Sequence, residues 1–418
     1  MELKKYRLGE IVDFNKETIS RQDDLLEIKY LDTSNILDNV IYETPSMKLS
    51  EAPSRAQRKV KHLTIIYSTV RPRLKHHGIL QMPPENLIVS TGFATLDIKD
   101  SYENMIDATY LYLLLTQSSV TEYLGNIADT AVSAYPSINP SDISSLSFIF
   151  PDITIQRKIA SIWTSYDQKI HLNSVINDNL EAMAKQLYDY WFVQFDFPNE
   201  EGKPYKSSGG AMVWNEKLKR EIPSSFEVVN MGKLCDFRNG INYSKDETGN
   251  DYQIVNVRNI SSSRILLDGE DFDVITVPTS KAGNYVLKPD DIIIARSGCP
   301  GSTRLLLSPA NTLFCGFIIC CSPNDSRMRN YLVYCLKQLE GTNATTSGGS
   351  ILQNVSQDTL KGLHVIVPEK QIIDKFNKTI ELIFARMLNC LKESKALTKQ
   401  RNELLPLLMN GQASINSD

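Results

Sequence analysis

Seven basic side chains and no acidic one fall between residues 52 and 84: Arg55, Arg58, Lys59, Lys61, Arg71, Arg73 and Lys75. Two chemistries suit such a run. Ammonium groups such as Lys59, Lys61 and Lys75 neutralise phosphates, which positions a duplex without reading its sequence. A guanidinium held out rigidly pairs bidentately with guanine in the major groove. Arg71 and Arg73 suit that role, because they follow the β-branched run Thr64-Ile-Ile-Tyr-Ser-Thr-Val70 in a loop stiffened by Pro72. The plainer alternative for any charge run is a solvated face. The whole chain carries a formal net charge of -4, so only local clustering could draw a polyanion.

A second stretch without Asp or Glu spans residues 292–324. Within it Arg296-Ser-Gly-Cys-Pro-Gly-Ser-Thr-Arg304 follows an Ile-Ile-Ile run, as the Arg71 loop follows its own. Arg296 and Arg304 are therefore the leading base readers there, with Ser297 beside them. Two further loops, Thr130-Ala-Val-Ser-Ala-Tyr-Pro-Ser-Ile-Asn139 and Thr345-Thr-Ser-Gly-Gly-Ser-Ile-Leu-Gln-Asn354, carry small polar residues that let backbone approach a groove closely. Gln353 or Asn354 could pair with adenine, or these loops could only turn the chain and cap the helical stretch that follows; both readings stand. Tyr135 and Arg258 complete the candidate set for contact with DNA.

Catalytic text is missing beside these groups. The closest approach to an Asn/Asp-Pro-Pro-Tyr adenine-methyltransferase motif is Met82-Pro-Pro-Glu-Asn86, which lacks the polar first residue and the aromatic last one. Gly202-Lys203 and Gly232-Lys233 have the wrong neighbours for a phosphate loop. The five histidines show no metal-ligand spacing, and the seven cysteines form no Cys-x-x-Cys pair and read as buried, reduced thiols. A chain without a catalytic site, metal or bound cofactor is expected.

Positioning these loops falls to a duplicated architecture. Leu8-Gly-Glu-Ile-Val-Asp-Phe14 returns as Met231-Gly-Lys-Leu-Cys-Asp-Phe237, Asn35-Ile36 as Asn259-Ile260, and Gly92-Phe93 as Gly316-Phe317. Tyr110-Leu-Tyr-Leu-Leu-Leu-Thr-Gln117 then matches Tyr331-Leu-Val-Tyr-Cys-Leu-Lys-Gln338, and Pro151 matches Pro368. Five matches in one order with a slowly drifting offset indicate an internal repeat. Each copy runs through short β-branched segments bounded by Pro, Gly and Asp, then into a long helical pattern. Between the copies, Asp196-Phe-Pro-Asn-Glu-Glu-Gly-Lys-Pro-Tyr-Lys-Ser-Ser-Gly-Gly210 reads as a connection.

Residues 155–191 contain no Pro or Gly, and apolar side chains fall at 155, 159, 162, 166, 176, 180, 183 and 187, with Lys169 and Asn173 filling the gap. The same alternation runs from Ile373 to Leu408, with Ser394 and Arg401 on the seam. Steps of three and four mark helices that pack along one another, and about 40 residues give a rod about 60 Å long. Such a rod suits a spacer; the alternative is a helix packed onto its own domain. Polar seam residues lower stability but can fix register. Pro406 should bend or loosen the second helix, and Gly411 should end it.

With 42% apolar and 22% charged residues the composition is that of a globular protein. The longest apolar runs, at 108–115 and 312–321, fall short of the roughly 20 residues a membrane span needs. The N-terminal text has no secretory pattern, so a cytoplasmic protein without membrane contact is expected.

The helix ends, Asn179-Leu-Glu-Ala-Met-Ala-Lys-Gln-Leu-Tyr-Asp-Tyr-Trp-Phe-Val-Gln-Phe-Asp-Phe-Pro198 and Leu397-Thr-Lys-Gln-Arg-Asn-Glu-Leu-Leu-Pro-Leu-Leu-Met-Asn-Gly411, resemble the two helical regions of type I restriction-modification specificity subunits. Ser68-Thr-Val-Arg-Pro72, Trp214-Asn-Glu and Arg220-Glu-Ile-Pro223 add to the resemblance. It implies an α+β chain of two pseudo-symmetric target recognition domains, each a mixed β-sheet with short helices, separated by two long antiparallel coiled-coil helices. The expected division is 1–150 first recognition domain, 151–195 first spacer helix, 196–224 linker, 225–368 second recognition domain, 369–411 second spacer helix and 412–418 tail. The resemblance further implies a non-catalytic subunit that reads a bipartite target in double-stranded DNA. Its implied partners are two modification subunits, which bind S-adenosylmethionine and methylate adenine, and two restriction subunits, which use ATP and Mg. The rival classes are a stand-alone methyltransferase or nuclease, which would need a catalytic segment, and a repeat-built interaction protein, which would show no salt-dependent duplex binding.

Overall fold

In a computed structural model the chain is described over residues 3–20, 23, 25–130, 135–244, 246–261, 264–267, 269, 272–340 and 355–412. Two compact units emerge, one of residues 1–168 with 398–418 and one of residues 169–397.

The first unit is centred on a four-stranded antiparallel sheet in the order Val12–Phe14, Phe93–Ile98, Ile65–Ser68, His77–Ile79. Ile65–Ser68 is buried along its whole length, which is what a short unbroken apolar run gives when it sits inside a sheet. A second sheet has the order Ser46–Lys48, Glu27–Leu31, Leu87–Ser90, Ala56–Lys59, with its middle pair parallel. The helix Ala108–Leu115 is buried on every side and shares a core with Ile159 and Trp163 of the first long helix and Leu405 and Leu408 of the second. Gln156 is buried completely; its amide donates to the carbonyls of Met105 (2.9 Å) and Pro151 (2.8 Å), and its oxygen accepts from the Asp107 N–H (3.0 Å).

The second unit repeats the main sheets of the first, with three described strands against four in the flanking sheet. Its antiparallel sheet runs Cys235–Asn239, Ile318–Pro323, Ile292–Ala295, Thr303–Leu305. Beside it lies a sheet of Asp273–Val277, Asn250–Val255 and Thr312–Phe314, its last two strands parallel. A pair formed by Glu227–Asn230 and His364–Val367 matches Lys4–Arg7 with Ser147–Phe150. Part of the expected linker 196–224 also folds, as the hairpin Met212–Asn215 with Arg220–Pro223.

Strand register corrects one repeat match. Phe14 pairs with Leu96 and Leu96 with Ile65, as Phe237 pairs with Cys321 and Cys321 with Ile292. Carried along the strands, Phe93 corresponds to Ile318 and Gly92 to Phe317, one residue away from the match of the two Gly-Phe pairs. Phe93 begins a buried strand, as Ile318 does, whereas Phe317 lies in the turn before Ile318–Pro323 and is 64% exposed.

The long helices are Ile153–Tyr188, which continues into the π-helical turn Asp189–Val193, and Lys370–Met409. They pair antiparallel within each unit. In the second unit Tyr188 meets Phe376 and Asn173 donates to Glu393 (2.9 Å); in the first, Asp167 meets Arg401 (3.6 Å). The seam of the second helix falls where the alternation puts it, with Phe376, Ile380, Met387 and Cys390 buried. That of the first is turned by about one residue. Asn173 is buried as the alternation places it, but beyond it Met183 is exposed while Asn177, Ala184 and Tyr188 are buried, because Tyr188, Trp191 and Phe192 pack on Tyr331 and Phe376 and fix the buried face. Pro406 does not break the second helix. It sits exposed in the last turn, where few intrahelical bonds remain to be lost. Gly411, at φ 69°, then turns the chain, with Gln412 N–H bonded to Leu407 O (2.8 Å).

Candidate nucleic-acid interface

Four segments of the first unit are laced together by backbone hydrogen bonds at one end of its central strands. Thr91 N–H donates to Arg55 O (2.8 Å), Thr69 N–H to Gly92 O (2.9 Å), Arg71 N–H to Pro136 O (2.9 Å) and Ile138 N–H to Thr69 O (2.9 Å). The loop after Ile65–Ser68 is thereby joined to the loop before the helix Pro140–Ser144, which Asn139 and Asp142 cap reciprocally. A short 3-10 turn, Pro72–Leu74, is bounded by Arg71 (φ 49°) and Lys75 (φ 55°). Left-handed backbone costs a non-glycine residue energy and persists where the surroundings enforce it. Arg71 emerges from this frame with its guanidinium 5.0 Å from the centre of the Tyr135 ring, and both side chains are exposed. The result is a cationic, partly aromatic surface near the exposed Arg55, suited to base edges and phosphates.

The remaining residues of the 52–84 run do not join it. Arg73 lies across Gly125, where a Cβ would come within 2.6 Å of its Cζ, and it bonds Asp129 (2.6 Å), Asn126 (2.7 Å) and Glu122 (3.0 Å). Those carboxylates, Asp129 foremost, raise its pKa. It fastens the loop to the helix Ser118–Asp129 and is not poised to read a base. Lys59 is paired with Asp23, whose carboxyl it holds below the usual range. Arg58 is half-buried in a strand, and burial lowers its pKa. Lys61 is exposed, but it lies before Ile65–Ser68 and Arg71 after it, so the strand separates them. Lys75 is exposed, its carbonyl bonded to Asp38 N–H. His77, beneath the loop, stacks on Tyr67 and contacts the Tyr112 hydroxyl (3.1 Å); burial lowers its pKa to about 4 and keeps it neutral.

In the second unit Arg296 follows Ile292–Ala295 directly. Its N–H donates to Phe317 O (2.8 Å) and its carbonyl accepts from Val355 N–H (2.8 Å). These are the bonds that Thr69 makes to Gly92 and Ile138, so Arg296 occupies the position of Thr69, two residues before that of Arg71. Arg296 is exposed and, among the described residues, has no ion-pair partner; Ser297 beside it is half-buried. Gly298, at φ 80°, lies against Val257, the neighbour of Arg258. Arg258 is exposed and bonded to Asp273 (2.5 Å).

Arg304 corrects an expectation. Far from standing in a loop, it lies within Thr303–Leu305, 1% exposed, bonded to Thr303 O (2.7 Å) and paired with Glu340. A buried charge needs such a partner, and the pairing makes Arg304 an internal strut that cannot reach a base. Gln353 and Asn354 lie outside the described residues. Sequence reasoning overlooked Phe317; its exposure was masked by the match to the buried Phe93. Among the described residues no helix is long and apolar enough to cross a membrane.

Comparison with known proteins gives this geometry a context. The model of the type I restriction modification DNA specificity domain matches the chain twice, over residues 1–182 and 223–405. The chain is 26% identical to the type I restriction enzyme HindI specificity subunit of Haemophilus influenzae, over 98% of this chain and 99% of that protein. It is 24% identical to the MjaIX specificity subunit of Methanocaldococcus jannaschii, over 81% of this chain and 76% of that one. A crystal structure of the type I restriction-modification system S subunit from M. genitalium shares the fold, with a TM-score of 0.55 at 17% identity, covering 99% of this chain and 97% of that one.

Proposed function

The chain belongs to the type I restriction-modification DNA specificity family as a specificity subunit, and from that premise we propose that its two repeated domains each read one half of a bipartite target in double-stranded DNA. The reading domains span 1–150 and 225–368, and the two long helices, with residues 151–195 and 369–411, set the interval between the half-sites. In this role the chain performs no catalysis. It brings two modification subunits, carrying S-adenosylmethionine, and two restriction subunits, carrying ATP and Mg, to the site it selects in the cytoplasm.

The observation that carries the reading is the Arg71–Tyr135 pair on a loop fixed by backbone hydrogen bonds and two left-handed residues. Specific contacts require a guanidinium whose direction is set before the duplex arrives. Arg71 takes a base-reading role in the first domain, with Arg55 and Lys75 on neighbouring phosphates. Arg296 takes the reading role in the second, helped by Ser297 and Arg258; Gln353 and Asn354 keep the adenine-pairing role their amides suggest.

Mapping methylated adenines in the DNA of cells carrying the complete system tests the proposal. It should yield one split motif with a fixed interval. Purified complex should then bind that duplex with log K falling by about 0.9 for each phosphate contacted per unit of log salt concentration. Binding that is indifferent to salt, or methylation at an undivided motif, would sink the proposal.

A further inference from the structure

We infer that Phe317 contacts bases in the second half-site, laying its ring against an apolar base surface beside Arg296. The inference rests on the second domain being a DNA reader, and it assigns a role to a residue that the basic-patch argument leaves out. Phe317 is 64% exposed between the buried Cys315 and Ile318. Leaving most of a phenyl ring in water forgoes the stabilisation that burying it would bring. The ring is not on a slack loop. Cys315 N–H bonds Val255 O (3.0 Å), Ile318 N–H bonds Cys315 O (2.9 Å), and Phe317 O holds the N–H of Arg296. At Gly316 even a Cβ would come within 2.2 Å of the Asn242 side chain, so the turn is braced from behind.

The first domain supplies a second, independent argument. In the same backbone frame it has Gly92 where the second has Phe317, and Thr69 where the second has Arg296. It places its own exposed ring and guanidinium, Tyr135 and Arg71, on the adjoining loops. Both domains therefore present an exposed aromatic ring and an exposed arginine at the same end of the central strands, built from different positions. An exposed ring beside an arginine matches the mixed surface of a base, whose apolar part is either a face bared by unstacking or the methyl group of thymine.

The test uses the complex with its modification subunits and the duplex found by methylation mapping. Phe317→Ala should weaken cognate binding about tenfold while leaving random-duplex binding and the salt slope unchanged; because the ring is exposed, the melting temperature should stay that of the wild type. Two probes separate the sources. A rise in 2-aminopurine fluorescence on binding, lost in Phe317→Ala, identifies an unstacked face. A loss on replacing one thymine by uracil, absent in Phe317→Ala, identifies the methyl group. Equal cognate binding by variant and wild type overturns the inference, as does a variant that loses its modification subunits yet binds DNA normally. If wild-type complex shows no salt-dependent binding, the DNA-reading role fails first and takes this inference with it; a wild type that binds beside an unaffected variant removes the inference alone.

Discussion

Replacing Glu340 with Ala removes an anion bonded to a guanidinium only 1% exposed, leaving Glu181 as a second carboxylate near it, and it removes the acceptor of the Thr303 N–H (2.6 Å) on a residue that is itself fully buried. Breaking a buried pair from one side costs about 3–5 kcal/mol, and a stranded buried N–H adds about 1–3 kcal/mol. Glu340 keeps 25% exposure, so water can reach the vacated space and the total belongs at the low end, about 3 kcal/mol. Hydrogen exchange read by mass spectrometry suits the question, because it reports on one sheet without assuming that a chain of two units unfolds in one step. Amides of Thr303–Leu305 and its partner Ile292–Ala295 should exchange roughly 100-fold faster in Glu340→Ala. Replacing both partners, Arg304→Met with Glu340→Gln, should restore most of the protection, since an apolar side chain of similar size needs no counter-charge. Cognate DNA affinity should be unchanged in that double variant. Unchanged exchange in Glu340→Ala, together with lost base preference in the double variant, would refute the strut and return Arg304 to the readers.

Arg71→Ala should cost about 1–3 kcal/mol on the cognate duplex and relax preference at one base position, with random-duplex affinity unchanged; equal losses on both duplexes would make Arg71 a phosphate contact. Tyr135→Ala should cost about 0.5–1 kcal/mol on the cognate duplex by releasing the guanidinium, and the same measurement checks it. Arg73→Ala, which loosens the turn carrying Arg71 but removes no base contact, should lower the affinity ratio between cognate and random duplex less than Arg71→Ala does. His77 carries a pH dependence. Unfolded, it titrates near 6.5, but folded it stays neutral down to about 4 because burial penalises the imidazolium. Below 6.5 the unfolded chain takes up a proton that the folded one refuses, so stability present above that pH is lost as pH falls to about 4, by roughly 3 kcal/mol in all. Exchange from the first unit across that window should show the loss, and His77→Gln should flatten it; identical slopes in the two proteins would contradict the assignment.

Much of the architecture was legible because the signals were local. The runs at Ile65–Ser68 and Ile292–Ala295 are unbroken and apolar, and they became buried central strands in equivalent sheets. What escaped depended on residues distant in sequence. The seam of the first long helix is set by Tyr331 and Phe376 packing on its C-terminal aromatics, which turned Met183 outward and Ala184 inward. Arg73 is claimed by Glu122 and Asp129, about 50 residues away, and Arg304 by Glu340. The cationic run looked continuous because sequence ignores direction, whereas a strand carries Lys61 and Arg71 to opposite ends. Phe317 was missed because a match one residue out of register equated it with the buried strand residue Phe93, when it lies in the turn before Ile318–Pro323.

Gln156 turns the start of the first long helix into a weld. Three hydrogen bonds from one buried amide join the helix to the carbonyl of Met105 and to the amide N–H of Asp107, just before the buried helix Ala108–Leu115, and to its own approach at Pro151. Swivelling there would have to break all three in a place water does not reach. Torque applied to the first turns of this helix is therefore delivered to the first domain as to a key fixed in its bow, and any suppleness in that unit has to be sought away from this joint.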